Sequence, residues 1–287
     1  MTVGVFDSGV GGLSVLPALE RCLPHARLIY VADSGHGPYG ERDDAWLQDR
    51  CFQIARFLQS RGAQMLVMAC NTATAAAAET LRASYPDWPI VGIEPGIKPA
   101  VARSKCGRVG VMATDATLRS RRYARLVAEH GHGAEVVDEA CTGLAMAIER
   151  ADVPSIEALV ARHTQVMRDA RVDTLVLGCT HYPLAKPWIE AAMGPGVEII
   201  DTADAVARQA AIQMHGSRHA HVTTQDTADA TRQERCTFVT SGEPNDIKRF
   251  ASRWLHRDIA PSRLDEIALT RYVTDDSPSE GLPEKGA

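Results

Sequence analysis

No apolar stretch in these 287 residues approaches the roughly 20 consecutive residues that a membrane span needs. No CxxC spacing occurs among the seven cysteines, and their number is odd, so no disulfide framework is implied. Positive charge is not in excess. The formal net charge is −5 and the pI about 6.1, which speaks against a dedicated nucleic-acid binder. A candidate strand at 3–7 begins almost with the chain, which leaves no room for a secretory leader. The expectation is therefore a cytoplasmic protein whose thiols stay reduced. The glycine-rich run Phe6–Ser14 has neither the GxGxxG spacing nor the lysine of a phosphate-binding loop, so a nucleotide site is discounted. His215, His219 and His221 have no acidic or cysteine partner at ligand spacing. They read as a solvated tract, and no metal is expected.

What the sequence does have is two apolar runs that stop at a cysteine. Met65-Leu66-Val67-Met68-Ala69-Cys70-Asn71-Thr72 is one, and Thr174-Leu175-Val176-Leu177-Gly178-Cys179-Thr180-His181 is the other. Each run is too short for a typical helix and reads as a buried strand. A helical pattern follows each. In open parallel sheets ligands bind beyond the carboxyl ends of the strands, which is where both thiols would stand. The duplication extends further. Val3-Gly4-Val5-Phe6 resembles Val109-Gly110-Val111-Met112, and Tyr30-Val31-Ala32-Asp33 resembles Val136-Val137-Asp138. Such self-similarity predicts two copies of one α/β half. Strands are predicted near 3–7, 28–32, 65–70, 90–93, 108–113, 134–138, 174–178, 197–200 and 236–240. Amphipathic helices lie between them, as in 41–60 and 154–170.

The predicted fold is α/β, with two similar doubly wound parallel-sheet domains related by a pseudo-twofold axis and a site in the cleft between them. Residues 1–96 and 206–271 would form the first domain, with the C-terminal block packing back on it. Residues 97–205 would form the second. A polar loop is expected over 217–235 and a disordered tail over 272–287.

Two matched thiols facing one cleft suit a reaction that needs an acid/base group on each side of a carbon. The plainer alternative is that buried cysteines are small hydrophobes. Cys70 would emerge near the N-terminus of a strong helix former, where the helix dipole and free amides lower a thiol pKa. Asp7, at the end of the first strand, would act in the opposite sense on the same thiol. The turn after Asp7 offers amides suited to a carboxylate, while Asp7 or Ser8 could merely cap the helix. Asn71 and Thr72 could cap as well. Tyr39, between Pro38 and Gly40, would offer its hydroxyl and nearby amides to a substrate, or be an ordinary exposed turn residue. Thr114 and Thr117 follow the fifth strand, at the position matching the Asp7 loop, and could also be helix caps. His181 is placed to orient or relay a proton for Cys179. The same Cys179–His181 spacing would equally suit a cysteine hydrolase acting on amides, with Cys70 dispensable. A third possibility is an amino-acid-binding module without chemistry. Glu149 by itself reads as a surface helix charge.

The strings Phe6–Ser14, Pro38-Tyr39-Gly40, Ala69–Ala73, Glu94-Pro95-Gly96, Gly178–Pro183 and Thr240-Ser241-Gly242, in order over about residues 3–255, closely resemble the bacterial glutamate racemase family. That resemblance implies a cofactor-independent enzyme that makes D-glutamate for peptidoglycan. By position, Cys70 and Cys179 would be the two acid/base thiols. Asp7 would assist Cys70, and His181 with Glu149 would assist Cys179. Ser8, Tyr39, Gly40, Asn71, Thr72, Thr114 and Thr180 would hold the substrate, with Pro38 and Thr117 beside them. A homodimer is the expected assembly. Aspartate is the closest alternative substrate. Thr142-Gly143 stands where the family usually has a proline after the cysteine matching Cys141. The loop Ser34-Gly35-His36-Gly37 lacks an arginine common there. Some relatives carry an N-terminal extension used in activation by a cell-wall precursor; no such activator site is expected here.

Overall fold

A computed structural model describes residues 1–216 and 235–264. Residues 217–234 of the predicted loop, the predicted tail, and His219 and His221 lie outside the described residues. The strands are β1 (Thr2–Asp7), β2 (Arg27–Ala32), β3 (Met65–Met68), β4 (Ile90–Gly92), β5 (Arg108–Ala113), β6 (Glu135–Ala140), β7 (Thr174–Gly178), β8 (Glu198–Ile200), β9 (Cys236–Thr240) and β10 (Pro261–Arg263). They form two sheets. One has the order β10-β9-β2-β1-β3-β4 and the other β6-β5-β7-β8, and every pairing is parallel. The succession β2-β1-β3-β4 is repeated as β6-β5-β7-β8. The internal repeat is thus a repeat of topology, and β3 and β7 are equivalent strands.

Burial follows from the sheet class. The β3 and β7 residues are all buried, because helices cover both faces of a parallel sheet. The helix Asp44–Ser60 turns Leu47, Cys51, Ile54 and Leu58 onto the first sheet, an i, i+3, i+4 stripe. Asp43 caps it by accepting the Trp46 N–H at 2.8 Å. The helix Val153–Asp169 does the same in the second half with Ile156, Val160, His163 and Met167. After the second half, the helix Ala203–Gly216 lies against the helix Leu16–Cys22, and β9 pairs with β2. The strand β10 was not expected. Its Pro-Ser-Arg sequence has no apolar alternation, and pairing with β9 alone makes it a strand. Among the described residues no helix is long and apolar enough to cross a membrane.

Candidate active site

Both cysteines lie just beyond the carboxyl ends of equivalent strands. Cys70 follows β3 and caps the helix Asn71–Ser84, its Sγ accepting the Ala73 N–H at 3.4 Å. The cap is therefore the thiol itself, not Asn71 or Thr72. The Cys70 thiol donates to Ser8 Oγ at 3.4 Å. Cys179 follows β7 and packs against His181, with Sγ 3.7 Å from Nδ1. On the other side of the ring, His181 Nε2 is 3.0 Å from Glu149 Oε1. All seven cysteines are free.

The two thiols sit in opposite electrostatic surroundings. Burial, reinforced by the nearby Asp7 carboxyl, pushes the Cys70 thiol up to about 12, against the Ser8 and Ala73 hydrogen bonds. Of the two opposed influences expected on this thiol, the raising one of Asp7 prevails over the lowering one of the helix N-terminus. One long N–H contact does not offset full desolvation of a thiolate. Burial alone would lower the His181 pKa. The hydrogen bonds to Cys179 and Glu149 and their charges outweigh it and hold the imidazole well above its ordinary value. Nδ1 faces Cys179 Sγ and Nε2 faces Glu149 Oε1, so each ring nitrogen has a partner. Burial raises the Glu149 carboxyl, but His181 and the Val10 N–H more than compensate and keep it low. Glu149 is thus a half-buried partner of His181 and not a plain surface charge.

Asp7 is completely buried. Its Oδ2 accepts the Gly12 N–H at 2.8 Å, and its Oδ1 has no partner among the described residues. Burial raises its pKa, with the His181 charge and the Gly12 bond working against the rise. Asn71 Oδ1 and Ser34 Oγ are likewise buried and unpartnered. A carboxyl whose folded-state pKa exceeds its unfolded value of 3.8 weakens the fold as pH rises from about 4 through the folded value. Asp7→Asn keeps an acceptor for Gly12 and removes that cost. It is expected to raise the thermal midpoint at pH 8 by roughly 2–4 °C while turnover falls about 10²-fold. Melting curves from pH 5 to 8 alongside activity assays check this, and a lower midpoint would refute it.

Across the cleft, Thr72 Oγ1 lies 3.2 Å from Thr114 Oγ1, and Thr114 Oγ1 lies 2.8 Å from Thr117 Oγ1. Three hydroxyls from both halves meet there. Thr114 also caps the helix Asp115–Arg119. Thr180 is buried, and its carbonyl accepts from Ser14 Oγ at 2.8 Å. Pro38 precedes the turn Tyr39–Glu41, and a Cβ added to Gly40 would lie 4.0 Å from Thr114 Cβ, so this loop faces the second half. Tyr39 departs from expectation. It is buried, and its hydroxyl donates to Asp33 Oδ2 at 2.6 Å, so the ring is not exposed and the hydroxyl is engaged within the chain. Sequence reasoning missed the anchor beneath it. Arg50 donates to both Asp33 oxygens, at 2.8 and 2.6 Å, and His36 Nδ1 is 3.1 Å from Asp33 Oδ1. The readable signal was a charge inside the buried stripe Leu47, Arg50, Cys51, Ile54.

Where the family proline is absent, Gly143 adopts φ 87° and starts the helix Leu144–Glu149. His163 Nε2 meets the Thr142 carbonyl there at 3.4 Å. A cavity of about 670 Å³ opens beside Glu149, lined by Val10, Ser34, Met146, Phe250 and Trp254 among others; neither cysteine lines it. Among the described residues no group of three or more His, Cys, Asp or Glu side chains is placed to hold a metal ion.

The Asp/Glu/Hydantoin racemase family model matches residues 11–210. The chain is 44% identical over 259 residues to a glutamate racemase of Pseudomonas entomophila, covering 89% of this chain and 95% of that one. It is similar in structure to a glutamate racemase isoform from Bacillus anthracis, with TM-score 0.80 and 31% identity over 92% of this chain and 97% of that one. It is also similar to the Escherichia coli glutamate racemase in complex with L-glutamate and the activator UDP-MurNAc-ala, with TM-score 0.76 and 28% identity over 92% and 97% of the two chains.

Proposed function

The chain belongs to the Asp/Glu/hydantoin racemase family, and from that premise we infer that it is a glutamate racemase, interconverting L- and D-glutamate and supplying D-glutamate for peptidoglycan. Racemisation removes the Cα proton from one face and returns one to the other. Two opposed acid/base groups in different protonation states meet that need. The observation that carries the reading is the contrast between two thiols on equivalent strands. Burial and Asp7 push the Cys70 thiol up, whereas Cys179 lies against His181, whose pKa its partners hold above the ordinary value.

In this reading Cys179, with His181 and Glu149 as its relay, takes the proton from one face while Cys70 delivers one to the other. The roles exchange in the reverse direction. Asp7 supports Cys70. The carbanion is stabilised by oriented donors in a site screened from water. Ser8, Asn71, the Thr72–Thr114–Thr117 hydroxyls, Thr180 and the 38–40 turn are the groups placed to hold the two carboxylates and the ammonium. No cofactor is required. We place the enzyme in the cytoplasm, where its free thiols remain reduced, and as a homodimer, the commonest closed assembly.

The test is incubation of the purified, reduced protein with L-glutamate and no added cofactor, followed by chiral chromatography. D-glutamate approaching an equal mixture is expected. Folded protein that forms none would refute the reading, and aspartate would be assayed next.

A further inference from the structure

We propose that the backbone of Gly9-Val10-Gly11 is a positioning element for the Cys179 acid/base unit, holding His181 and Glu149 in place from the opposite half of the molecule. The proposal rests on the reading of Cys179 as an acid/base group. The turn follows β1 in the first sheet, whereas His181 follows β7 in the second and Glu149 ends a helix of the second half. A Cβ on Gly11 would lie 2.3 Å from His181 Nδ1 and 2.7 Å from its Cγ, so the imidazole rests directly on the glycine. A Cβ on Gly9 would lie 2.6 Å from Glu149 Oε1. Between them, the Val10 N–H lies close enough to the Glu149 carboxylate to help lower its pKa.

Space, and not backbone conformation, demands glycine here. Neither Gly9 nor Gly11 is among the positive-φ glycines, so alanine is allowed by the main chain at both. The turn is itself pinned. The Tyr30 hydroxyl donates to the Gly9 carbonyl at 3.1 Å, and Asp7 holds the Gly12 N–H. Further contacts between the halves surround it. Ser14 Oγ donates to the Thr180 carbonyl, Trp254 Nε1 donates to the Ile148 carbonyl at 3.2 Å, and Phe250 meets the His181 ring edge-on. The Glu149 carboxylate and the His181 ring of the second half therefore pack directly against this turn. The two sides of the site differ accordingly. The Cys70 helpers Asp7, Ser8 and Ala73 N–H come from its own half. The Cys179 helpers keep their geometry only against the other half.

The experiment compares Gly9→Ala, Gly11→Ala, Glu149→Asp and the Gly9→Ala/Glu149→Asp pair in the full-length protein. The added methyl of Gly9→Ala meets the end of a movable carboxylate and leaves the core packing alone, so this variant folds. The first readout is the ratio of iodoacetamide alkylation rates at Cys179 and Cys70, resolved by peptide mass spectrometry. Each variant's ratio is read against that of the wild-type protein, in which Cys70 and Cys179 are both buried. Gly9→Ala is expected to lower the ratio at neutral pH at least about fivefold, and Gly11→Ala further. Turnover is expected to fall at least about tenfold in Gly9→Ala with KM changed by less than about threefold. Shortening the carboxylate side chain makes room for the methyl, so the pair should be less impaired than the product of the single effects predicts. An unchanged ratio in folded Gly9→Ala, or strictly multiplicative single effects, would overturn the proposal. Alkylation needs no turnover, so this readout stands even if the wild-type protein leaves glutamate untouched.

Discussion

Cys70→Ser and Cys179→Ser are each expected to lower racemisation in both directions by about 10³-fold or more, the scale of a lost general acid or base. A serine hydroxyl keeps the size and the hydrogen bonds of the site but cannot exchange a proton near neutral pH as a thiol does. The two losses should differ in character. Cys70 is the buried thiol that donates to Ser8, and its replacement leaves the His181–Glu149 relay intact. Cys179 is the group that His181 touches, and its replacement leaves the imidazole without its sulfur partner. Exchange of Cα–H with solvent from a single enantiomer should therefore survive in part in one variant and not the other. Full two-way activity in either single variant would refute the assignment. A Cys/His hydrolase, by contrast, would tolerate loss of Cys70.

Arg50→Met should cost about 3–5 kcal/mol of stability, the usual penalty for removing one member of a buried ion pair. Asp33 and Arg50 are both almost fully buried, and the carboxylate receives the guanidinium, the Tyr39 hydroxyl and His36. Burial alone would raise the Asp33 pKa, but the Arg50, His36 and Tyr39 hydrogen bonds and the Arg50 charge hold it down at about 2. A lowered folded-state pKa adds stability that is present above the unfolded value near 4 and is lost as pH falls toward 2. Wild-type protein should therefore lose stability steeply across that window, and Asp33→Asn should lack that contribution. The pair also carries the 38–40 turn. Denaturant unfolding reads the stability loss, and a rise in KM larger than the fall in kcat reads the turn. A stability change below about 1 kcal/mol would contradict the account. Replacing Asp33 and Arg50 together should cost less than the sum of the single changes.

The strands and both cysteines were legible because short apolar runs in this chain end at the thiols. Periodicity and internal repetition carry that information without tertiary knowledge. β10 was not legible, since Pro261-Ser262-Arg263 has no apolar alternation and becomes a strand only when β9 offers an edge. The turn after Asp7 was readable as a glycine turn, but not its occupants, which arrive from sequence positions 149 and 181. Two opposed influences on the Cys70 thiol, the helix N-terminus and Asp7, were legible, but not which of them prevails. Helix position is visible in sequence, whereas complete burial under Ser8 and beside Asp7 is a property of the packed site. The burial of the Tyr39 ring was hidden for a related reason. A Pro-Tyr-Gly turn looks exposed until Asp33 and Arg50 draw the ring inward. The pairing of Glu149 with His181 came from family resemblance alone, because a helix-ending glutamate carries no local mark of a partner.

The central claim is that two thiols act on opposite faces of one carbon. Cα deuterium in D₂O at low conversion tests it most directly. Starting from L-glutamate, the account predicts D-glutamate carrying deuterium at Cα while the recovered L-glutamate keeps its original hydrogen, because the abstracting and donating groups hold different protons. D-glutamate that retains the substrate hydrogen would mean one group serving both faces and would contradict it.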